Sequence, residues 1–387
     1  MQISLLTDSI FPYTMGGMQK HSYYLVKYLA RAGVMVDVYY GLAEGMGVPE
    51  KYDEYSEEEL KNIRFFPIYF PKSGRYPGHY ILENYLFSKR VYSKLIQHPT
   101  PDFVYIQGFA GWYYLQNRRK QQAGNNIKTG INFHGVEMYQ KAVNLNIKLQ
   151  HFLLRPPTAY NSKKADVLFS LGGKLTPIHR KTAPSSTISE IPIGITCDWL
   201  VDPNKLKASD KRRFTFIGRY ERRKGIEELS SVLSGEGRII FSSTEFHFIG
   251  PIPSEKQVKG YANIKYHGAI HDEGKIKELL QASDVLLCPS WSEGMPTVIL
   301  EAMASGCAII ATDVGAVSEQ VDSSNGILIR PGDKKQLKAA IEKMITLPGE
   351  QLLAMKKASI KRIEEKFLWE KVAEQTITEI KRIIEEH

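Results

Sequence analysis

The chain of 387 residues has only three cysteines, Cys197, Cys288 and Cys307. An odd count without metal-like spacing argues against a disulfide framework or a zinc site and points to a reducing compartment. No apolar run approaches 18 residues, so no transmembrane helix is expected. The opening Met1-Gln-Ile-Ser-Leu-Leu-Thr-Asp8 is too short and too acidic at its end for a signal peptide, and reads as a first strand. These features together suggest a cytoplasmic protein. The chain also lacks a Gly-x-Gly-x-x-Gly fingerprint, so a nicotinamide cofactor is not expected. There is no Asp-x-Asp placed after a strand, so no metal and no cofactor are expected. Internal repeats, low-complexity segments and the aromatic-basic motifs of nucleic-acid modules are missing too, and nucleic acid is not expected as a partner.

Hydrophobic residues make up 43% and charged residues 24%, ordinary values for a globular chain of two or three domains. The net charge of +9 is lopsided: residues 1–190 hold 23 Lys and Arg against 14 Asp and Glu, while the remainder balances at 28 each. Eighteen of the 21 tyrosines precede residue 190. A basic, Tyr-rich half suits an anionic partner, such as a membrane surface or a phosphorylated acceptor.

The most informative stretch is Asp284-Val-Leu-Leu-Cys-Pro-Ser-Trp-Ser-Glu-Gly-Met-Pro-Thr-Val-Ile-Leu-Glu301. Val285 to Cys288 reads as a buried parallel strand, and Pro289 ends it. Gly294 and Pro296 mark a turn into a helix that stops near Gly306, and Ala308-Ile-Ile-Ala311 is the next strand. The amides from Gly294 to Val298, through Met295, Pro296 and Thr297, lie where a helix start can hold phosphate. Glu293 before the helix and Glu301 within it suit a ligand with both a phosphate and several hydroxyls. A surface glutamate on a packed helix would read the same way.

Upstream, Arg213-Phe-Thr-Phe-Ile217 is a strand running into Gly218-Arg219-Tyr-Glu-Arg-Arg-Lys224-Gly225. Arg219 offers a two-pronged fork and Lys224 a compact charge for a diphosphate, whereas Arg222 and Arg223 are expected to face solvent. In the first half, the strand Ile3 to Leu6 leads through Gly16-Gly17 into a helix ended by Gly33, then a strand at 34–40. The glycine pair can be a plain turn or a close approach to a ligand. Glu57 to Glu59 read as solvated surface, and 61–80, with Pro67, Pro71 and Pro77, as mostly irregular. Thr129 to Phe133 is a strand ending in His134-Gly135, at the end where open parallel sheets bind ligands. A satisfied core histidine is the alternative. Glu137 is a weaker candidate, on the acceptor side. Lys141 to Arg155 reads as a basic amphipathic helix, for a membrane surface or for the core.

The Glu293-x7-Glu301 pair, set in Pro289-Ser-x-x-Glu-Gly-x-Pro-x4-Glu-Ala-Met-Ala-x-Gly306, resembles the donor site of family 4 retaining glycosyltransferases. Gly218-Arg219-x4-Lys224-Gly225, the glycine pair, His134-Gly135 and the Ala165-Asp-Val-Leu-Phe-Ser170 segment match the same family in order, over most of the chain. Ile193 stands where the family has asparagine in a Pro-Asn-Gly turn. The resemblance implies an α/β GT-B fold of two facing Rossmann-like domains. An acceptor domain would span 1–194 and a donor domain 195–369, with a helix at 370–387 crossing back to the first. It further implies Glu301 on the donor ribose, Glu293 on the donor sugar with the Gly294 and Met295 amides, and Arg219 and Lys224 on the diphosphate. His134 would sit by the sugar, and Gly16-Gly17 would approach the diphosphate. The expected partners are a UDP- or GDP-sugar, a glycan or glycolipid acceptor, and an anionic membrane at the inner face of the cell. A same-fold epimerase or hydrolase and a non-catalytic basic-surface binder remain the alternatives.

Overall fold

In this computed structural model, residues 1–74, 76, 78–121, 127–207, 211–234 and 244–386 are described. The chain divides into two compact units. Unit 1 comprises Met1–Tyr139, Asn146–Gly194 and Trp369–His387; unit 2 comprises Gln140–Leu145 and Ile195–Leu368.

Unit 1 is built on β1 (Gln2–Thr7), β2 (Met35–Leu42), β3 (Ile63–Tyr69), β4 (Phe103–Gln107), β5 (Lys128–Asn132), β6 (Val167–Ser170) and β7 (Thr187–Glu190). They form one parallel sheet in the order β3-β2-β1-β4-β5-β6-β7. Unit 2 carries β8 (Arg212–Ile217), β9 (Thr244–Ile249), β10 (Ile264–Tyr266), β11 (Val285–Cys288), β12 (Ala308–Thr312) and β13 (Gly326–Ile329). These are also parallel, in the order β10-β9-β8-β11-β12-β13.

Parallel neighbours need long crossovers, and helices supply them. Central strands are buried on both faces, which explains near-continuous apolar runs such as Phe103 to Ile106 and Ala308 to Ala311. In unit 2, Phe214 stacks on Phe246 across the β8–β9 pair with ring centroids 5.2 Å apart. In each sheet the winding direction reverses once, between β1 and β4 and between β8 and β11. The carboxyl ends of those strands splay their loops apart, which is where open α/β sheets hold ligands.

Two stretches expected to be irregular or solvated are ordered elements. Ile63–Tyr69 is the edge strand β3, and an edge tolerates Pro67 because its missing N–H faces away from the sheet. Glu57–Leu60 is a short helix with a capping box between Ser56 and Glu59. Glu59 is buried and pairs with Arg31 at 2.6 Å.

The last helix, Trp369–Glu385, belongs to unit 1. Trp369 is fully buried and stacks on Tyr24 and Tyr28 of the Gly17–Arg31 helix, at 5.7 and 6.1 Å. Gly194 lies so close to its ring that a Cβ there would meet Cγ and Cδ2. Replacing Trp369 by alanine removes this whole contact set and should cost about 3–5 kcal/mol. Urea unfolding of Trp369→Ala should show a midpoint lowered accordingly; an unchanged midpoint would contradict the packing described.

Candidate functional site

The site in unit 2 grows from two loops at the β8/β11 reversal. After β8 the chain passes Gly218 and makes a single turn at Arg222–Lys224. Gly225 then adopts a left-handed conformation (φ 69°), where a Cβ would run into the Pro289 carbonyl. Only glycine lets the two loops approach this closely. The contact is locked by the Trp291 backbone N–H, which donates to the Arg223 carbonyl at 2.7 Å.

That locking carries cations to a buried carboxylate. Glu293 is 6% exposed. Lys224 Nζ lies 2.8 Å from its Oε1, and Arg223 Nη1 lies 3.1 Å from its Oε2. Burial alone would raise the Glu293 pKa, but the charges of Lys224 and Arg223, with hydrogen bonds from Lys224 and Ser290, outweigh it and hold the group ionised. The Gln140 amide donates to the Glu293 carbonyl at 2.7 Å, and the Gly294 carbonyl accepts from the Ala316 N–H at 2.7 Å. Trp291 is flanked by Lys141 and Arg222, 4.7 and 4.8 Å from its ring.

The helix Thr297–Ala304 follows, with Pro296 as its N-cap and no side chain capping the amides. Met295 and Pro296 are buried, while Gly294, Thr297, Val298 and Glu301 keep partial exposure. That spacing of three and four puts them on one open face, with Glu301 a turn beyond Thr297. An anion at the helix start and hydroxyls beside Glu301 would share that face.

The expected basic clamp is rearranged. Arg219 is 72% exposed and pairs with Glu221 at 2.9 Å. Arg223, expected in solvent, is instead the second cation on Glu293. Arg222 pairs with Glu228 at 2.5 Å. The role of Arg223 escapes sequence reading because its partner lies 70 residues away along the chain.

In unit 1, the sequence-predicted residues sit at carboxyl ends of strands. His134 follows β5 with φ 57°, and its N–H donates to Asn132 Oδ1 at 2.7 Å. Its Nε2 is 2.7 Å from Gln107 Oε1, and Gln107 Nε2 is 3.0 Å from His21 Nδ1. With the amide so oriented, His134 Nε2–H donates to Gln107, and Nδ1 is left as an acceptor. The two imidazoles meet edge to face at 4.7 Å. Burial pushes His134 down to about 3, and burial followed by the nearby His134 pushes His21 well below its usual value. Both rings are neutral at pH 7. Gln107 and His21 also escape sequence reading; both fall near strand or helix ends beside the reversal point, which is the signal that could have found them. Glu137 is exposed in the turn Glu137–Tyr139.

Gly16 and Gly17 open the Gly17–Arg31 helix, and no atom would crowd a Cβ at Gly17. Asp8, just after β1, accepts from Gln19 Nε2 at 3.1 Å. Burial pushes its carboxyl up to about 6, against hydrogen bonds from Gln19 and the backbone.

Two family patterns match: Glycosyltransferase Family 4 over residues 15–195, and Glycosyl transferases group 1 over residues 211–346. The chain belongs to the family 4 glycosyltransferases of GT-B fold. Its relatives include a Bacillus subtilis protein, TuaC, named as a putative teichuronic acid biosynthesis glycosyltransferase, 30% identical over 186 residues and 46% of each chain. The match thus spans about half the length of that curated relative. Sucrose-phosphate synthase from Thermosynechococcus elongatus aligns with a TM-score of 0.78 at 17% identity, covering 99% of this chain and 98% of that one. Anabaena HepE, solved in complex with UDP and glucose, aligns with a TM-score of 0.67 at 13% identity, covering 99% and 100%. Among the described residues, no helix is long and apolar enough to cross a membrane.

Asp8 yields a pH test. Its folded pKa of about 6 exceeds the ordinary 3.8, so the fold favours the protonated form. That contribution is full below pH 3.8, falls as pH rises to 6, and is then lost, a swing of roughly 3 kcal/mol. Asp8→Asn should therefore be more stable than wild type above about pH 6, with the difference shrinking toward about pH 4. A pH-independent difference in denaturation free energy would contradict the assignment.

Proposed function

We propose that the protein is a retaining glycosyltransferase that moves a sugar from a UDP- or GDP-sugar to an acceptor hydroxyl, without a metal. The acceptor is a glycolipid or a cell-surface polysaccharide precursor. Unit 2 is read as the donor unit and unit 1 as the acceptor unit. The reaction is placed in the cytoplasm, at the inner face of the cell membrane.

One observation carries the donor reading: the Lys224–Glu293–Arg223 triad lies beside an uncapped helix start that has Glu301 on its open face. The triad has two positive charges and one negative, so it keeps a net positive charge for a diphosphate. Arg219 adds a second cation, since leaving its exposed partner Glu221 sacrifices at most about 1 kcal/mol. Such fixed charges stabilise the leaving nucleoside diphosphate where negative charge develops. Amides at Gly294, Met295 and Thr297 add donors; Pro296 has no N–H and shapes the turn. Glu301 accepts from the ribose hydroxyls.

Glu293 stays ionised, which disqualifies it as a general acid. It orients Lys224 and Arg223 and accepts from a sugar hydroxyl through its carboxylate or the adjoining loop. His134, neutral and held by Gln107, accepts from a sugar hydroxyl through Nδ1; at a pKa of about 3 it is too weak a base to remove a proton. Gly16 and Gly17 present bare backbone to the diphosphate, and Glu137 is assigned to the acceptor.

The test is thermal stabilisation by UDP, GDP, ADP and CMP. A nucleoside diphosphate at about 100 times its dissociation constant should add roughly 2.7 kcal/mol. One of them should stabilise the wild type and not Glu301→Ala, and EDTA should leave turnover of the matching sugar donor unchanged. No stabilisation by any of them would overturn the donor assignment. Release of free sugar at the same rate with and without acceptor would overturn the transferase assignment.

A further inference from the structure

The helix Leu145–Lys164 of unit 1 is turned inside out. Its buried residues are His151, Pro157, Thr158, Asn161 and Ser162, mostly polar or small. Its largest apolar side chains face outward: Phe152 is 66% exposed and Leu149 56%, with Tyr160 further along. Positions 149, 152, 156 and 160 follow helical spacing and form one ridge. A water-facing ridge of this kind marks an interaction surface rather than an unfinished core.

A cationic pocket borders the ridge. It has a volume of about 490 Å³ and is lined by Tyr139, Arg155, Ala159, Ile178, Lys181 and Thr182. Arg155 and Ala159 lie four residues apart, on the strip of helix next to Phe152 and Pro156. The Arg155 guanidinium is fixed at one end, its Nε donating to the Met138 carbonyl at 2.9 Å while its Cζ lies 5.6 Å from the Tyr139 ring. Lys181 is exposed and makes no ion pair among the described residues. Residues 138–189 contain eight Lys and Arg but a single acidic residue, Asp166, which is already held by Arg118 at 2.5 Å. The cations around the pocket therefore have almost no internal counter-charge.

We propose that this face is a docking site for an anionic phospholipid bilayer. The pocket takes a headgroup phosphate between Arg155 and Lys181, and Leu149 and Phe152 enter the acyl boundary. The guanidinium fork and the ammonium supply charge-assisted hydrogen bonds to phosphate oxygens. The ridge supplies the apolar area that lets a basic surface helix bury itself in the interface. The proposal refines the membrane part of the function above, and it is independent of the donor site in unit 2.

Co-sedimentation with phosphatidylglycerol-containing and pure phosphatidylcholine vesicles tests it. Wild type should bind the anionic vesicles at least about tenfold better, with binding weakened by salt. Leu149→Ser/Phe152→Ser should lose about tenfold or more while its melting temperature stays level. Lys181→Ala, a surface change that should not disturb folding, should reduce the anionic preference; Arg155→Gln should reduce it further. Nucleoside diphosphate binding, measured in parallel, should be unchanged in every variant, so failure here and failure of the donor site are told apart. Equal binding to both vesicles, or no binding to either, would overturn the proposal. So would wild-type behaviour of the ridge variant, or displacement by millimolar inorganic phosphate that leaves no vesicle-bound protein. A dimer in sedimentation velocity that Phe152→Ser dissociates would overturn it too, by assigning the ridge to a second copy.

Discussion

The Glu293 carboxylate, enclosed between Lys224 and Arg223, is the interaction on which the rest of unit 2 converges. A buried charge is tolerated only if paired, and removing one partner of such a pair typically costs about 3–5 kcal/mol. Here each cation comes from the loop after β8 and the carboxylate from the loop after β11. The pairing therefore requires those two loops to pack backbone to backbone. Gly225 against Pro289, the Trp291–Arg223 hydrogen bond and the Gln140 clamp on Glu293 all serve that approach. The same arrangement leaves one net positive charge beside an open helix start. One constraint thus stabilises the crevice and prepares it for an anion.

Unit 1 solves a different problem at the equivalent end of its sheet. It holds neutral polar groups rather than charges. His134 is fixed in a left-handed backbone conformation by Asn132, and its ring is oriented by Gln107, which in turn contacts His21. His21 also contacts Trp369, with ring centroids 5.4 Å apart. The final helix therefore supports the histidine pair as well as the core. A neutral, oriented imidazole suits hydrogen bonding to a sugar hydroxyl, whereas the charged crevice of unit 2 suits a diphosphate.

Much of this is legible in the amino-acid sequence. Apolar runs mark β1, β4, β8, β11 and β12, because strands buried on both faces carry little else. Glu293, Glu301, Lys224 and His134 stand out because polar residues where such strands end need a reason. What escapes reading depends on partners distant along the chain or on local signals that are overridden. Pro67 disguises β3, although an edge strand accommodates it. The Ser56–Glu59 capping box hides in an acidic run that looks merely solvated. Pro156 and Pro157 obscure the continuation of a helix that runs on to Lys164. Arg223, Gln107 and Asp8 owe their places to contacts that no local pattern encodes.

The role proposed for the Lys224–Glu293–Arg223 triad is to bind a diphosphate through its leftover positive charge. Calorimetric titration of Lys224→Ala and wild type, each with the stabilising nucleoside diphosphate and with its parent nucleoside, tests this most directly. A charge-assisted contact contributes about 1.5–3 kcal/mol. The diphosphate should thus bind Lys224→Ala about 10- to 100-fold more weakly, while affinity for the nucleoside stays unchanged. Equal diphosphate affinity in the two proteins would contradict that role, leaving the triad as a structural brace alone.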